Sequence, residues 1–94
     1  MHGEYKMPGG KLIVADVRVA GGNLAAVQIS GDFFLQPDMA LEQINRALTG
    51  LPAQGTREDR VRAIENGLGD DVQMYGISAE AVAIAVERAL EGES

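Results

Sequence analysis

Two alternating runs on either side of a glycine pair constrain the fold of this chain more than any other feature. From Lys11 to Ala20 the odd positions Ile13, Ala15, Val17 and Val19 are apolar, and Asp16 and Arg18 fall between them. That period of two buries one face of a β-strand. From Leu24 to Ser30 the apolar set is Ala25, Val27 and Ile29, with Gln28 and Ser30 turned outward. Gly21-Gly22-Asn23 joins the runs, and the register follows from which faces must match. A two-residue turn of Gly21-Gly22 sets Ala15 opposite Gln28 and Ile13 opposite Ser30, mixing apolar and polar faces. A three-residue loop pairs Val19 with Ala25, Val17 with Val27 and Ala15 with Ile29. A one-residue slip turns a whole apolar set outward, so the three-residue loop is expected, with Asn23 left-handed near its end. Gly3–Met7 supplies a further short strand ahead of Pro8-Gly9-Gly10.

After Leu35 the period becomes helical. Pro37 suits a first helical turn, where its missing N–H costs nothing. Leu41, Ile44, Leu48 and Leu51 follow at spacings of three, four and three, and Gly50 and Pro52 stop the stripe. Thr56 with Asp59 resembles a capping box, with Asp in place of Glu or Gln. Val61, Ile64 and Leu68 then form the apolar side of a second helix, ended by Gly67 and Gly69. Asp70–Ile77 reads as a connector or short edge strand. Ser78 caps a third helix with Val82, Ala85, Val86, Ala89 and Leu90 on one side, and Glu91–Ser94 reads as a frayed tail. Strands followed by helices, without βαβ alternation, predict one α+β domain over residues 1–94. Its small antiparallel β-sheet carries about three helices on one face.

Composition narrows the function classes. The 94 residues include no cysteine, which removes disulfides, thiolate catalysis and thiolate metal sites. No run approaches the roughly 18 apolar residues of a membrane span. The first residues lack the basic and apolar regions of a secretory signal, so a cytoplasmic location is expected. Residues 1–36 balance three cations against three acids, whereas residues 37–94 carry five arginines against eleven acids. Such a chain is a poor partner for nucleic acid, and its acidic half reads as solvated helix faces.

No catalytic residue is assigned, because no nucleophile stands beside a base. The single His2 reads as a surface residue at a mobile terminus. Asp70-Asp71 lacks further ligands and reads as a solvated turn, so no metal site is expected. The chain's two lysines, Lys6 and Lys11, bracket Met7-Pro8-Gly9-Gly10. Backbone N–H groups in such a turn can converge on an anion, and nearby cations strengthen the attraction. The segment is not a P-loop, since the Gly-x4-Gly-Lys-Ser/Thr spacing is missing and a strand follows. A plain hairpin turn is the simpler reading. For Gly31-Asp32-Phe33-Phe34 the simpler reading is a corner: Gly31 ends a strand, Asp32 binds nearby backbone N–H groups, and the phenylalanines anchor helices to sheet.

Together and in this order, Glu4-Tyr5-Lys6-Met7-Pro8-Gly9-Gly10-Lys11-Leu12-Ile13, a glycine hairpin, and Ile29 to Pro37 with Gly31-Asp32-Phe33-Phe34 resemble a known domain. It is the C-terminal, accessory domain of lipoate–protein ligases, in the version encoded as the separate small subunit of a bipartite ligase. The resemblance covers roughly residues 3–50, includes a helical Glu near Glu42, and continues in architecture only, with a Gly-Ile-Ser helix entry at Gly76–Ser78.

The resemblance implies a non-catalytic accessory part of an ATP-dependent ligase. In that family lipoate is activated as lipoyl-adenylate, and the lipoyl group then passes to a lysine of an acceptor domain. The accessory domain is needed chiefly for activation. This chain is then expected to bind no cofactor alone, with ATP, Mg and lipoate held by a catalytic lipoate–protein ligase subunit in a heterodimer. Lipoyl-acceptor domains are indirect partners. Lys6, Pro8, Gly9, Gly10 and Lys11 form the loop facing partner or adenylate, and Gly31, Asp32, Phe33 and Phe34 the structural or interface corner. Two other readings keep the fold: a free-standing protein-interaction adaptor without ligase activity, and a fragment of a longer ligase. An iron–sulfur scaffold of similar architecture needs cysteines that this chain lacks.

Overall fold

The computed structural model describes residues 1–36, 39–68 and 72–91, and for Phe34 the backbone alone. The order of elements is β1 (His2–Lys6), β2 (Leu12–Ala20), β3 (Asn23–Gly31), β4 (Phe34–Gln36), α1 (Met39–Leu48), α2 (Arg57–Gly67), β5 (Gln73–Tyr75) and α3 (Ala79–Glu91). β1, β2 and β3 form an antiparallel sheet in that order, and β4 pairs antiparallel with β5 in a second, two-stranded sheet. The expected α+β architecture is therefore present.

The core pairs of the hairpin are those the apolar parity demands, Ala15 opposite Ile29 and Val17 opposite Val27. The turn, however, is the two-residue one. Gly21 and Gly22 have φ of +61° and +80°, the pair of positive values that suits a tight hairpin, and Asn23 begins β3 with no positive φ. Past Arg18 opposite Ala26 the register jumps to Val19 opposite Leu24, so Ala25 is an extra residue on β3. This bulge corrects the expected Val19–Ala25 pair and puts Leu24, fully buried, where Ala25 was expected. One inserted residue restores the parity that a two-residue turn would have broken.

β1 is longer at its start than expected. The N-terminal ammonium donates to the Val17 carbonyl at 2.9 Å and Val17 N–H donates to the Met1 carbonyl at 2.8 Å, which draws His2 into the ladder. α3 packs on β1 and β2, α1 packs on β3, and α2 packs against both helices. The α3 contact is close because its sheet-facing side is small: Ala81, Ala85 and Ala89 are buried beside Val82 and Val86. At Gly3 the strand lies so near that a Cβ would strike the Ala85 carbonyl and the Ala89 backbone. Ile13, Leu24, Ile29, Ile44, Leu48, Ile64, Val82 and Val86 fill the layer between helices and sheet.

Both expected caps are present. Thr56 Oγ1 accepts from Asp59 N–H at 3.1 Å, and Ser78 Oγ accepts from Ala81 N–H at 3.1 Å. α1 ends at Leu48, so Leu51 lies beyond the helix. Leu24 N–H donates to the Leu51 carbonyl and Gly50 N–H to the Leu24 carbonyl, which covers one end of the β3 edge. Asn45 Oδ1 accepts from Ile29 N–H at 2.9 Å and covers the other. Gly67 belongs to α2, whose cap is Leu68. The readings placed on Pro37, Gly69, Asp70-Asp71 and residues 92–94 lie outside the described residues. Among the described residues no helix is long and apolar enough to cross a membrane.

Candidate functional site

The Pro8–Lys11 turn and the Gly31–Asp32 corner meet at one end of the three-stranded sheet. Met7 and Lys11 close the β1–β2 connection, with Met7 N–H donating to the Lys11 carbonyl at 3.2 Å. Pro8 supplies the fixed φ of a second turn residue, Gly9 supplies φ +67°, and Gly10 N–H donates to the Met7 carbonyl at 2.9 Å. Pro8 has no N–H and Gly10 directs its own inward, so Gly9 and Lys11 carry the remaining backbone N–H groups of the turn.

The two lysines leave this turn in different directions. Lys6 stands opposite Leu12, and strand alternation places it with His2 and Glu4 on the sheet face away from the helices. Lys11 sends its stem the other way, across Gly76 in the connector between β5 and α3. A Cβ on Gly76 would press on Lys11 Cγ, and Gly76 itself has φ +77°. Both lysines are exposed, and neither forms an ion pair among the described residues. Lys11 is thus braced while Lys6 is free to turn. Gly76 is the functional candidate that sequence reasoning noticed only as part of a helix entry.

Gly31 stands opposite Ile13 at the end of β3 with φ +146°, and a Cβ there would strike the Leu12 carbonyl oxygen. That oxygen accepts from Asp32 N–H at 3.1 Å. The expected Asp32 side-chain bonds are not found: its carboxylate is exposed and accepts no hydrogen bond among the described residues. Phe33 packs half-buried against the core, as expected of an anchor. The Phe34 side chain lies outside the described residues, while its backbone pairs with Tyr75. The corner therefore joins the three-stranded sheet to the β4–β5 pair, next to Lys11. Glu42, in the first turn of α1, is exposed and paired with Arg46 at 3.0 Å.

Away from this end, His2 lies between two carboxylates. Its Nδ1 is 2.8 Å from Asp16 Oδ1 and its Nε2 is 2.8 Å from Glu4 Oε2. The hydrogen bond to Glu4, then that to Asp16, raises the imidazole pKa. Buried Arg60 donates to the Ala53 carbonyl at 3.0 Å, and burial lowers its pKa; its Nε has no partner among the described residues. Arg57 and Glu87 pair across α2 and α3 through two contacts of 3.0 and 3.2 Å. Among the described residues no cluster of three His, Asp or Glu side chains is arranged to hold a metal ion.

No protein-family model matches the sequence, and no curated protein matches it. Among solved structures, this chain is similar to one from a structural analysis of an archaeal lipoylation system, described as a bi-partite lipoate protein ligase and its E2 lipoyl domain from Thermoplasma acidophilum. The TM-score is 0.67 at 24% identity, over 92% of this chain and 97% of that one. The likeness spans nearly the whole of both chains and establishes a shared fold.

Proposed function

We propose that this chain is the non-catalytic accessory subunit of an ATP-dependent lipoate–protein ligase, acting with a catalytic subunit to activate lipoate as lipoyl-AMP. The observation that carries the reading is the meeting of the two sequence motifs: Gly31 and Asp32 sit on the Leu12 carbonyl, beside Lys11. The fold shared with a chain of a bi-partite lipoate protein ligase system supports it.

In activation, the lipoate carboxylate attacks the α-phosphorus of ATP and pyrophosphate leaves. The acceptor lysine amine then attacks the acyl carbonyl and AMP leaves. ATP, Mg and lipoate belong in the catalytic subunit. This chain contributes a short turn fixed by Pro8 and Gly9 and a braced cation, Lys11. A fixed positive charge helps most where negative charge builds around the α-phosphate. Contact of Lys6 and Lys11 with acidic groups of the partner is the first role we assign, and contact with the nucleotide the second.

Mixing the chain with the catalytic subunit tests the reading. A heterodimer should form on size exclusion, and hydrogen exchange at Met7–Leu12 should slow on binding. Absence of a complex contradicts it. The described lipoylation system also contains an acceptor, the lipoyl domain, so intact mass provides a second check. Lipoyl attachment to Lys6 or Lys11, the chain's only lysines, would make this chain an acceptor and overturn the accessory reading.

A further inference from the structure

Three stretches that lie far apart in the sequence meet around Lys11. The turn from Met7 delivers it to the start of β2, and the Gly31–Asp32 corner ties down the neighbouring Leu12 carbonyl, to which Asp32 N–H donates at 3.1 Å. The third stretch is Gly76, between β5 and α3. A Cβ on Gly76 would fall 2.5 Å from Lys11 Cγ, 3.2 Å from its Cβ and 3.8 Å from its Cδ, so the lysine stem fills the space of a side chain. Gly76 is itself fixed on both sides. Tyr75 pairs with Phe34 in the β4–β5 sheet, Ile77 is buried in the core, and Ser78 Oγ caps α3 by accepting from Ala81 N–H at 3.1 Å. The connector is thus a firm surface, whereas Lys11 is exposed and forms no ion pair among the described residues. Lys6 lies elsewhere, opposite Leu12 on the sheet face away from the helices.

We propose that Gly76 is a positioning residue for Lys11: its missing Cβ leaves the seat across which the lysine stem lies, and this seat sets the direction in which the ammonium group meets the catalytic subunit. The proposal rests on the accessory-subunit reading above. Its physical basis is a choice between staggered rotamers. With the seat open, the stem lies across the connector and carries the ammonium group past it. A side chain at position 76 fills the seat, and the stem must turn about its Cα–Cβ bond into another well. That rotation swings the far end of the side chain out of reach of a charge-assisted hydrogen bond, which needs about 2.7–2.9 Å. The charge stays on the chain and only its direction is lost. The φ of +77° at Gly76 adds a backbone cost for most residues. Asn separates the two effects, because it tolerates this conformation while still filling the seat.

The test combines Gly76→Asn with each lysine substitution in turn, in the full chain. In the wild-type chain alone, nuclear Overhauser contacts should join Gly76 Hα to the Lys11 side-chain protons, and their absence overturns the proposal. With the catalytic subunit of the same organism, lipoate-dependent exchange of pyrophosphate into ATP is followed at limiting concentrations of this chain. Gly76→Asn should lower the rate about tenfold, as Lys11→Ala does, and should add nothing further in the Lys11→Ala background. In the Lys6→Ala background its loss should persist. Losses that multiply between Gly76→Asn and Lys11→Ala, or a normal rate for Gly76→Asn, overturn the proposal and leave the accessory reading in place. If Gly76→Asn alone does not fold, thermal melts of its combination with Lys11→Ala decide: recovery of the fold supports the contact, and no recovery overturns it. A wild-type chain that leaves exchange unchanged overturns the accessory reading and this proposal together.

Discussion

Gly31 rests on the carbonyl of Leu12 so closely that no other residue fits there without moving the backbone. The same oxygen accepts from Asp32 N–H, so the end of β3 is tied to the start of β2 immediately beside Lys11. Gly31→Ala meets both this clash and a φ of +146° that side chains rarely adopt. It should destabilise the fold by on the order of 1–3 kcal/mol in urea unfolding. A change below about 0.5 kcal/mol would mean that the corner yields freely and positions nothing.

Leu24 and Ala25 test the bulge. Leu24→Ala should cost about 2–5 kcal/mol, because a fully buried side chain is cut back, and Val27→Ala on the order of 1–3 kcal/mol. Ala25→Ser, at the extra residue, should change stability by less than about 1 kcal/mol. A large loss at Ala25 with a small one at Leu24 would restore the three-residue loop.

This hairpin also shows how far the sequence could be read. Apolar parity at Ala15, Val17, Val27 and Ile29 determines the central pairs, since only one face can be buried. It says nothing about where a bulge lies, because Leu24 and Ala25 are both apolar and adjacent. The caps at Thr56 and Ser78 were legible because each depends on residues three positions away. The order of the motifs around Lys11 and Gly31 was legible too. The brace of Lys11 by Gly76 was not, since it joins residues from distant parts of the chain through packing alone. The opposite directions of the two lysines follow from strand parity, but only once Tyr5 is known to stand opposite Ile13.

His2 should make stability depend on pH. Its pKa is raised by the Glu4 and Asp16 hydrogen bonds, so the stabilisation is fully present below the unfolded value near 6.5 and is lost as pH rises through the folded value. The melting temperature of wild type should exceed that of His2→Gln at pH 5.5, and the gap should close by pH 8.5. An equal gap at both values would show that the imidazole charge is not involved.

The two lysines should separate in reconstituted ligase. Lys6→Ala with Lys11→Ala should slow lipoyl-adenylate formation roughly 10- to 150-fold, as for loss of a charge-assisted contact, while sparing transfer from preformed lipoyl-adenylate. Lys11→Ala alone should account for most of the loss, because Gly76 braces only that side chain. Excess accessory chain restores the rate if the lysines dock the partner and leaves it low if they act on the transition state. A normal rate at every concentration would reduce the segment to a hairpin turn.

Lipoate-dependent exchange of pyrophosphate into ATP tests the central claim most directly. It should be absent with this chain alone, and it should appear when the chain is added to the catalytic subunit. Exchange by the chain alone, or exchange by the catalytic subunit that the chain does not increase, would contradict the account.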